Sequence, residues 1–394
     1  MKNGLMTKVT HLGTRIEMPP ASTPKVPPMH MNAAYCFEDA ETLAEVNRGE
    51  KDGYLYGRTS NPTNDCLREI LTAVDQGAAS QVYASGMGAI SMAVMSNIKA
   101  GDHVLVNKII FGTSYKFFRA EMRDRFGVEV SFVDFLHEDI EQHFRPNTKL
   151  VYMETIANPT CDVIDIRKVA KAAHAHGCLL FVDNTFATPP VCKPLALGAD
   201  MVLYSATKFL CGHSDILAGV IVANKKALID HITDVGHSYG PIMSPFDAWL
   251  LIRSMRTLEI RMVQHCTNAM KAAQYFEAHK KVVRTLYSGL ESSPAHQVAK
   301  ETFVPGRFGG MVSIDLGSEK NVNDVIRNFK MTKLVPSLGA FSTTVSDTKT
   351  SHGAMTKEER DRCGLSDGIL RVSIGLEDAD DIIADFDQAL KVIK

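Results

Sequence analysis

The sequence predicts an α/β fold built on a mostly parallel central sheet flanked by helices, and three observations carry this prediction. Short apolar runs typical of buried strands occur at 104–106, 130–133, 150–153, 179–182 and 201–204. Helical patterns lie between several of these runs, as at Ile166 to His176, and strands that alternate with helices favour a parallel sheet. Asn158, Asp183 and Lys208 each fall just after a strand candidate. Because ligand sites in such sheets gather at the carboxyl ends of strands, we expect one shared crevice there.

Two segments flank the predicted α/β domain, which covers residues 59–250. Residues 1–58 are rich in proline and polar turns, including Pro19-Pro20, and predict an extended arm. A long helical stretch opens residues 251–394, which we expect to form a smaller α+β domain. The strand candidates of that domain are Met311 to Leu316 and Ile369 to Ile374.

The composition narrows the classes of partner. The chain has 394 residues, 45% of them hydrophobic, and a net charge of −2, so nucleic acids and anionic membranes are poor candidates. No apolar run is long enough to span a bilayer, and residues 1–15 lack a signal-peptide core, which predicts a cytoplasmic protein. The eight cysteines form no Cys-x-x-Cys pair and predict free thiols. His174-Ala175-His176 has no further metal ligands nearby and is interpreted as the polar end of a helix.

Lys208 is the most informative residue for function. It follows the apolar run at Met201, and desolvation in such a place favours the neutral amine. Ser205 and Thr207 precede it at alternate positions, so their hydroxyls lie on one side of an extended strand end. Asp183, at the end of another strand, could pair with a protonated pyridine nitrogen. An amine, two hydroxyls and an acid suit pyridoxal 5′-phosphate (PLP), which a lysine holds as a Schiff base.

Each of these residues also has an ordinary structural explanation. Lysines that follow strands mostly extend into water, and an aspartate at a strand end often forms a turn or a helix cap. Gly86 and Met87 open a buried helix whose free N–H groups would attract a phosphate, although Gly-x-Gly turns are common. Arg58, two residues after Tyr56, could bind phosphate, but spacing alone favours a surface arginine.

Ordered motifs along almost the whole chain resolve these alternatives. They are Tyr56-Gly57-Arg58, Asn61-Pro62-Thr63, Ser85-Gly86-Met87, Asn158-Pro159-Thr160, Asp183-Asn184-Thr185-Phe186, Tyr204-Ser205-Ala206-Thr207-Lys208, Gly212-His213-Ser214-Asp215, Ser244-Pro245-Phe246-Asp247, Gly309-Gly310-Met311, Ser337-Leu338-Gly339 and Leu370-Arg371-Val372-Ser373. In this order they resemble the Cys/Met-metabolism PLP enzymes, the family of cystathionine synthases and lyases, methionine gamma-lyase and O-acetylhomoserine sulfhydrylases. The resemblance implies the PLP-dependent transferase fold of type I.

The resemblance also implies how the cofactor and the substrate are held. Lys208 would bind PLP covalently and move the Cα and Cβ protons, Asp183 would pair with the pyridinium nitrogen, and Asn158 would hydrogen-bond near the ring oxygen. Arg371, helped by Ser337, would clamp the substrate carboxylate. The groups around the phosphate would be Gly86, Met87, Ser205 and Thr207, together with Tyr56 and Arg58 of a neighbouring subunit. A contact shared in this way implies a catalytic dimer, usually paired into a homotetramer.

The chain departs from the family at the residue that stacks on the cofactor. Relatives commonly have a tyrosine in a Tyr-Gly-Gly-Thr-like segment, and the aligned segment here is Phe111-Gly112-Thr113. Phe111 can stack on the ring but has no hydroxyl to protonate a leaving group. Tyr115 could compensate only if this loop is rearranged, and Tyr56 of the partner subunit is the favoured donor. We therefore expect a leaving group that departs readily, such as a thiolate or an acylate.

A second departure lies just before Ser337. Cystathionine synthases and gamma-lyases often carry a glutamate there, suited to a distal ammonium group, whereas this chain has Val335-Pro336. Recognition of the second amino acid of cystathionine is therefore in doubt, and shorter substrates are favoured. His352 is expected to be a loop residue, with a role beside the substrate as the alternative.

The sequence thus predicts a PLP-dependent lyase of γ-elimination type acting on methionine or homocysteine. The alternatives are γ-replacement on an acylated homoserine and then β-elimination of cystathionine or cysteine, because one lysine and one electron sink serve all three. A PLP-binding protein without turnover and an aminotransferase are weaker possibilities, which turnover and ammonia release would exclude.

Overall fold

The computed structural model describes residues 4–11, 22–353 and 355–394. The strands are β1 Ala79–Tyr83, β2 His103–Asn107, β3 Glu129–Val133, β4 Thr148–Glu154, β5 Leu179–Asp183, β6 Met201–Ser205, β7 Gly219–Ala223, β8 Arg284–Leu286, β9 Met311–Asp315, β10 Lys333–Leu334, β11 Thr344–Asp347 and β12 Ile369–Ser373. The helices are α1 Leu5–His11, α2 Ala40–Asn47, α3 Pro62–Asp75, α4 Gly86–Asn97, α5 Gly112–Lys116, α6 Ile166–Ala175, α7 Lys226–Tyr239, α8 Pro245–Met255, α9 Leu258–Ala278, α10 His296–Thr302, α11 Glu319–Asn328, α12 Thr348–Ser351, α13 Lys357–Arg362 and α14 Ala379–Leu390. A π-helix, Phe117–Arg125, continues α5, and 3₁₀ turns cover Ile140–His143 and Pro194–Leu197.

The central sheet has seven strands in the order β1-β7-β6-β5-β4-β2-β3. Strands β2 to β6 are parallel, and β7 runs antiparallel to both β6 and β1. All five strands predicted from the sequence are present, which confirms the mostly parallel α/β sheet. The strands β1 and β7 were not predicted. The run of β-branched residues in β7, Val220 to Val222 between small residues, was a usable signal.

The central sheet is covered on both faces, as its continuous apolar strands require. In β4, Val151 and Met153 pack into one buried cluster, whereas Leu150 and Tyr152 pack into the other. Because side chains alternate along a strand, Glu154 extends to the same face as Tyr152. This alternation decides which side chains at the strand ends can reach a common site.

A second sheet of five strands follows in the order β10-β11-β12-β9-β8. Strands β9 and β12 confirm the two strand candidates of the C-terminal region and pair antiparallel, with Arg371 opposite Ser313. The helical stretch before them is α8 and α9. The division at residues 58 and 250 itself stays a prediction.

The N-terminal arm is only partly extended. The helices α1 and α2 interrupt it, and Val9 of α1 is buried in the main core. The predicted turn at Pro19-Pro20 lies outside the described residues. Among the helices of the described ranges, none combines the length and the apolarity needed to cross a membrane.

Candidate active site

A cavity of about 490 Å³ lies at the carboxyl ends of β4, β5 and β6. Its wall is completed by the N-terminus of α4, by the segment before α5, and by residues of the C-terminal region. Its lining includes ten of the residues predicted from the sequence: Gly86, Met87, Phe111, Asn158, Asp183, Ser205, Thr207, Lys208, Ser337 and Arg371. The structure therefore confirms the expectation of one shared crevice.

Lys208 extends into this cavity from the segment that follows β6. Its Nζ donates a hydrogen bond to the Ser337 hydroxyl at 2.9 Å. Burial, and then the nearby charge of Arg371, lower the pKa of Lys208 from 10.5 to about 8. A substantial fraction of the amine is therefore unprotonated near neutral pH, which is the form that can attack an aldehyde or remove a proton.

Asp183 also lines the cavity, from the last position of β5. Its carboxylate accepts hydrogen bonds from the Thr185 N–H at 3.0 Å and the Tyr152 hydroxyl at 3.5 Å. Burial raises the pKa of Asp183, and the Thr185 contacts oppose this rise. A buried acid of this kind is stabilised as the carboxylate by a cationic partner such as a pyridinium.

The N-terminus of α4 and the end of β6 form an anion cradle. Ser85 caps α4, and its hydroxyl accepts the Gly88 N–H at 3.0 Å, so the free donors of the first turn are those before Gly88. A Cβ added at Gly86 would lie 2.8 Å from the Ser205 hydroxyl oxygen, so only glycine permits this approach. Thr207 differs from Ser205, because its hydroxyl already accepts the Ala218 N–H at 2.9 Å. Helix amides and a serine hydroxyl at such a place suit a phosphate.

Arg371 lies on β12 and lines the cavity together with Ser337. Its side chain is buried and donates to the Asn158 amide oxygen at 3.1 Å and to the Ser337 carbonyl at 3.3 Å. Burial lowers its pKa to about 10, so it stays a cation at neutral pH. A guanidinium held on two sides by neutral acceptors is left to pair with a carboxylate.

Phe111 also lines the cavity. It lies at the N-cap position of α5 and keeps 37% of its surface exposed. Tyr115 does not take its place, because it is a buried residue of α5 that does not line the cavity, stacks on Phe132 and directs its hydroxyl to Glu359 at 3.3 Å. The alternative that Tyr115 compensates for the missing hydroxyl therefore has no support.

Comparison with known proteins agrees with this site. The model of the "Cys/Met metabolism PLP-dependent enzyme" family matches residues 6–391. The chain belongs to this family. It is 38% identical to an L-methionine gamma-lyase of Fusobacterium nucleatum subsp. polymorphum over 100% of this chain and 99% of the relative. It is 40% identical to a cystathionine gamma-lyase of Bacillus subtilis over 89% of this chain and 92% of the relative.

A solved structure agrees over a similar length. The cystathionine gamma-lyase of Lactobacillus plantarum, complexed with L-serine, superposes with a TM-score of 0.91 at 31% identity, covering 99% of each chain. The protein is thus a PLP-dependent enzyme of the trans-sulfuration group with the fold of that family. The cavity fits PLP, because the space left at Gly86, the amine of Lys208 and the carboxylate of Asp183 match its phosphate, aldehyde and ring nitrogen.

Tyr56 and Arg58 do not reach the cavity of their own chain. Arg58 donates to the carbonyl of His237, and Tyr56 is 46% exposed. Their predicted role at the phosphate therefore depends on a neighbouring subunit and stays a prediction.

His352 lies beside the cavity but does not line it. It is fully buried, its Nε2 lies 3.2 Å from the Ile110 carbonyl, and burial lowers its pKa to about 4. A Cβ added at Gly112 would lie 2.9 Å from its Cα, so it packs directly against the start of α5. This packing supports the structural interpretation over a direct contact with substrate.

His174 and His176 each have a carboxylate partner. His174 pairs with Asp200 at 2.9 Å and His176 with Glu141 at 2.8 Å, at the end of α6. In the described part of the chain no three His, Cys, Asp or Glu side chains form a group suited to a metal. All eight cysteines are free.

Three residues of the site were missed in the sequence. Glu154 ends β4 directly beside Asp183 in the sheet register, and Tyr152 and Thr185 hydrogen-bond Asp183. The signal for Glu154 was present, because it is an acid that ends a buried apolar run, as Asp183 is. Tyr152 gave no signal, because a tyrosine inside an apolar strand is typical of a core.

Proposed function

We propose that this enzyme is a carbon–sulfur lyase that catalyses γ-elimination on methionine or homocysteine, giving 2-oxobutyrate, ammonia and a thiol. When bound, PLP supplies the electron sink for this chemistry. The protein supplies the proton transfers, the hold on the substrate carboxylate and a cavity that accepts an uncharged side chain.

We call the part of the cavity lined by Arg371, Ser337 and Pro336 the substrate side, and the part lined by Gly86, Asp183 and Ser205 the cofactor side. The observation that carries the proposal is that no free acid lies among the described residues of the substrate side. Among the described lining residues, the only acids are Asp183 and Glu154, and both are held within the cofactor side by hydrogen bonds. The lining includes the apolar side chains of Phe111, Leu217, Pro336 and Leu338, and its other polar groups near this region include uncharged hydroxyls such as those of Ser346 and Thr350. The distal ammonium of cystathionine would find no carboxylate there, whereas the thioether of methionine is well accommodated.

Lys208 and Arg371 divide the work on the substrate. Arg371 binds the α-carboxylate and thereby fixes the direction in which Cα presents its hydrogen. Lys208, with its lowered pKa, takes the proton from Cα and then from Cβ, and the hydrogen bond to Ser337 holds its Nζ toward the substrate side. Asp183 keeps the ring nitrogen protonated.

Phe111 limits the choice of leaving group. A phenylalanine cannot donate a proton, so a group that departs as a stable anion, with little acid help from the partner subunit's Tyr56, is favoured. Thiols have pKa values near about 8.5, which makes a thiolate far easier to expel than an alkoxide. This supports a sulfur leaving group.

We further propose that the working unit is a homotetramer of catalytic dimers located in the cytoplasm. In each dimer, Tyr56 and Arg58 of one subunit would complete the phosphate site of its partner. The exposure of Tyr56 and its distance from its own cavity support this arrangement.

The second candidate is γ-replacement on an acylated homoserine. The same uncharged lining favours it, because an acyl ester also lacks a distal ammonium, and an acylate departs without a proton. Only the fate of the product separates the two reactions.

The deciding experiment measures 2-oxobutyrate formed from L-methionine by the purified, PLP-loaded protein, with Lys208→Ala as control. We expect formation by the wild type alone, with a matching release of ammonia and methanethiol. No 2-oxobutyrate from either methionine or homocysteine would overturn the proposal. Parallel assays of O-acetylhomoserine with sulfide would then identify γ-replacement.

A further inference from the structure

Among the described residues that line the cavity, Glu154 is the one charged side chain that the proposed chemistry does not use. It ends β4, is buried, and lies next to Asp183 in the parallel register of β4 and β5. Two buried carboxylates side by side repel each other, so their presence together calls for an explanation.

The hydrogen bonds of Glu154 explain why a second buried carboxylate lies beside Asp183. Its Oε1 accepts the backbone N–H of Phe111 at 2.7 Å, and its Oε2 accepts the backbone N–H of Asn158 at 3.2 Å. The two donors belong to segments that are distant in sequence and have different tasks. Phe111 presents its ring to the cavity, and Asn158 accepts a hydrogen bond from Arg371.

The contact with Phe111 lies at the start of α5. Phe111 is the N-cap residue of α5, and its own side chain makes no capping hydrogen bond. A carboxylate at a helix N-terminus is favoured both by the free N–H groups and by the helix dipole. Glu154 therefore fixes where α5 begins and, with it, the position of the Phe111 ring.

The contact with Asn158 extends the same carboxylate to the substrate side. The Asn158 side chain accepts from Arg371 at 3.1 Å, so a displacement of its backbone moves one of the two acceptors that orient the guanidinium. Burial and then the charge of Asp183 raise the pKa of Glu154, while the two N–H groups and Arg371 lower it. The N–H groups that Glu154 positions therefore also favour its charged form.

We propose that Glu154 is a positioning residue which, through one carboxylate and two backbone N–H groups, sets the Phe111 ring against the cofactor and the Asn158 amide against Arg371. The proposal rests on the cofactor dependence of the family and is independent of which amino acid is cleaved.

The test is Glu154→Gln, which keeps the size of the side chain but removes one acceptor. Its NH₂ group cannot accept a hydrogen bond, so one of the two backbone N–H groups is left unpaired. Asp385→Asn is the matched control, because Asp385 is also buried and accepts the N–H groups of Lys330, Met331 and Thr332, far from the cavity. Each variant removes a buried carboxylate that accepts hydrogen bonds from backbone N–H groups.

We expect Glu154→Gln to raise the dissociation constant of PLP, measured by equilibrium dialysis, by about 10-fold and to weaken the visible circular dichroism band of the bound cofactor. The KM of the amino acid that the wild type turns over should rise by about 10-fold, with a smaller fall in kcat. Asp385→Asn should lower the melting temperature and leave the dissociation constant of PLP, KM and kcat within about 2-fold of the wild-type values.

The proposal is overturned if Glu154→Gln changes only the melting temperature, as the control does. If Glu154→Gln gives no folded protein, Glu154→Asp, which keeps the charge on a shorter side chain, decides the question by the same measurements. The dialysis and dichroism need no substrate, so inactivity toward methionine would contradict the proposed function without affecting this result.

Discussion

The cofactor side and the substrate side of the cavity are built in different ways. Asp183, Glu154 and Ser205 end three neighbouring strands, so the hydrogen bonds of the sheet set their spacing. Arg371 lies on the second sheet, and Pro336 lies in a loop. The register of the central sheet sets the positions of the residues on the cofactor side, whereas tertiary packing sets the positions of those on the substrate side. The cofactor side is therefore the part that different reactions can share, and the substrate side is the part that can change.

Lys208 links the two sides. It belongs to the segment after β6, yet its amine contacts Ser337 of the substrate side, and the charge of Arg371 contributes to its lowered pKa. A group in this position is expected to respond to changes on either side.

The variant expected to have the largest effect is Asp183→Asn, which tests whether the cofactor side acts on all substrates alike. Without the carboxylate the ring nitrogen loses its charged partner, and we expect kcat to fall by at least about 100-fold for every substrate alike. Asp75→Asn is the control, because Asp75 is buried and accepts the Tyr204 hydroxyl at 2.7 Å outside the cavity. Steady-state kinetics on methionine and homocysteine would measure the effect. A loss confined to one substrate would mean that the two sides are not separable.

The next largest effect concerns the stability of the protein freed of cofactor. Burial lowers the pKa of Lys208 from 10.5 to about 8, so the unfolded chain binds more protons than the folded one between these values. The free energy of unfolding therefore rises with pH across this window, and the full penalty of the buried ammonium is present below about pH 8. Lys208→Met removes the penalty and should stabilise the cofactor-free protein by about 1–3 kcal/mol at pH 7, with the gain vanishing near pH 10.5.

Urea unfolding at both pH values, with the exposed Lys226→Met as control, would measure this difference. If Lys208→Met raises the free energy of unfolding equally at pH 7 and pH 10.5, the cause is better packing of the methionine and not removal of the buried charge.

The difference between the cofactor side and the substrate side also explains which site residues could be predicted from the sequence. Asp183 and Lys208 follow apolar strands, so pattern alone placed them in one crevice, and the motifs around them identified the family. Five of the seven strands of the central sheet were predicted, whereas β1 and β7 were missed.

The substrate side was less accessible to such reasoning. Arg371 and Ser337 were placed through the family resemblance, because nothing in the local pattern of β12 indicates where its arginine extends. Glu154 was missed although it has the same pattern as Asp183, since its importance depends on N–H groups of two distant segments. Contacts of that kind appear only when the chain is folded.

A smaller effect should come from Pro336→Glu, on the substrate side. Pro336 lines the cavity directly before Ser337, and a carboxylate there would pair with the distal ammonium of cystathionine. We expect kcat/KM for cystathionine relative to methionine to rise by about 10-fold. Pro336→Gln, which makes the same backbone change without charge, should leave this ratio nearly unchanged. An equal shift in both variants would assign the effect to the loss of proline.

The smallest effect on the reaction of methionine is expected from Phe111→Tyr, which tests the boundary between the two sides. A tyrosine at this position would place a hydroxyl near the leaving group without altering the ring that faces the cofactor. Thiolate departure needs little help from an acid, so the rate on methionine should change by less than about 3-fold. A poorer leaving group, such as the hydroxide of homoserine, should gain about 10-fold or more, because general acids commonly contribute larger factors. The two rates, measured as 2-oxobutyrate formation, give a ratio that is insensitive to the amount of active protein. If neither rate changes, the missing hydroxyl of Phe111 has no bearing on the choice of leaving group, and the lining of the substrate side alone must account for specificity.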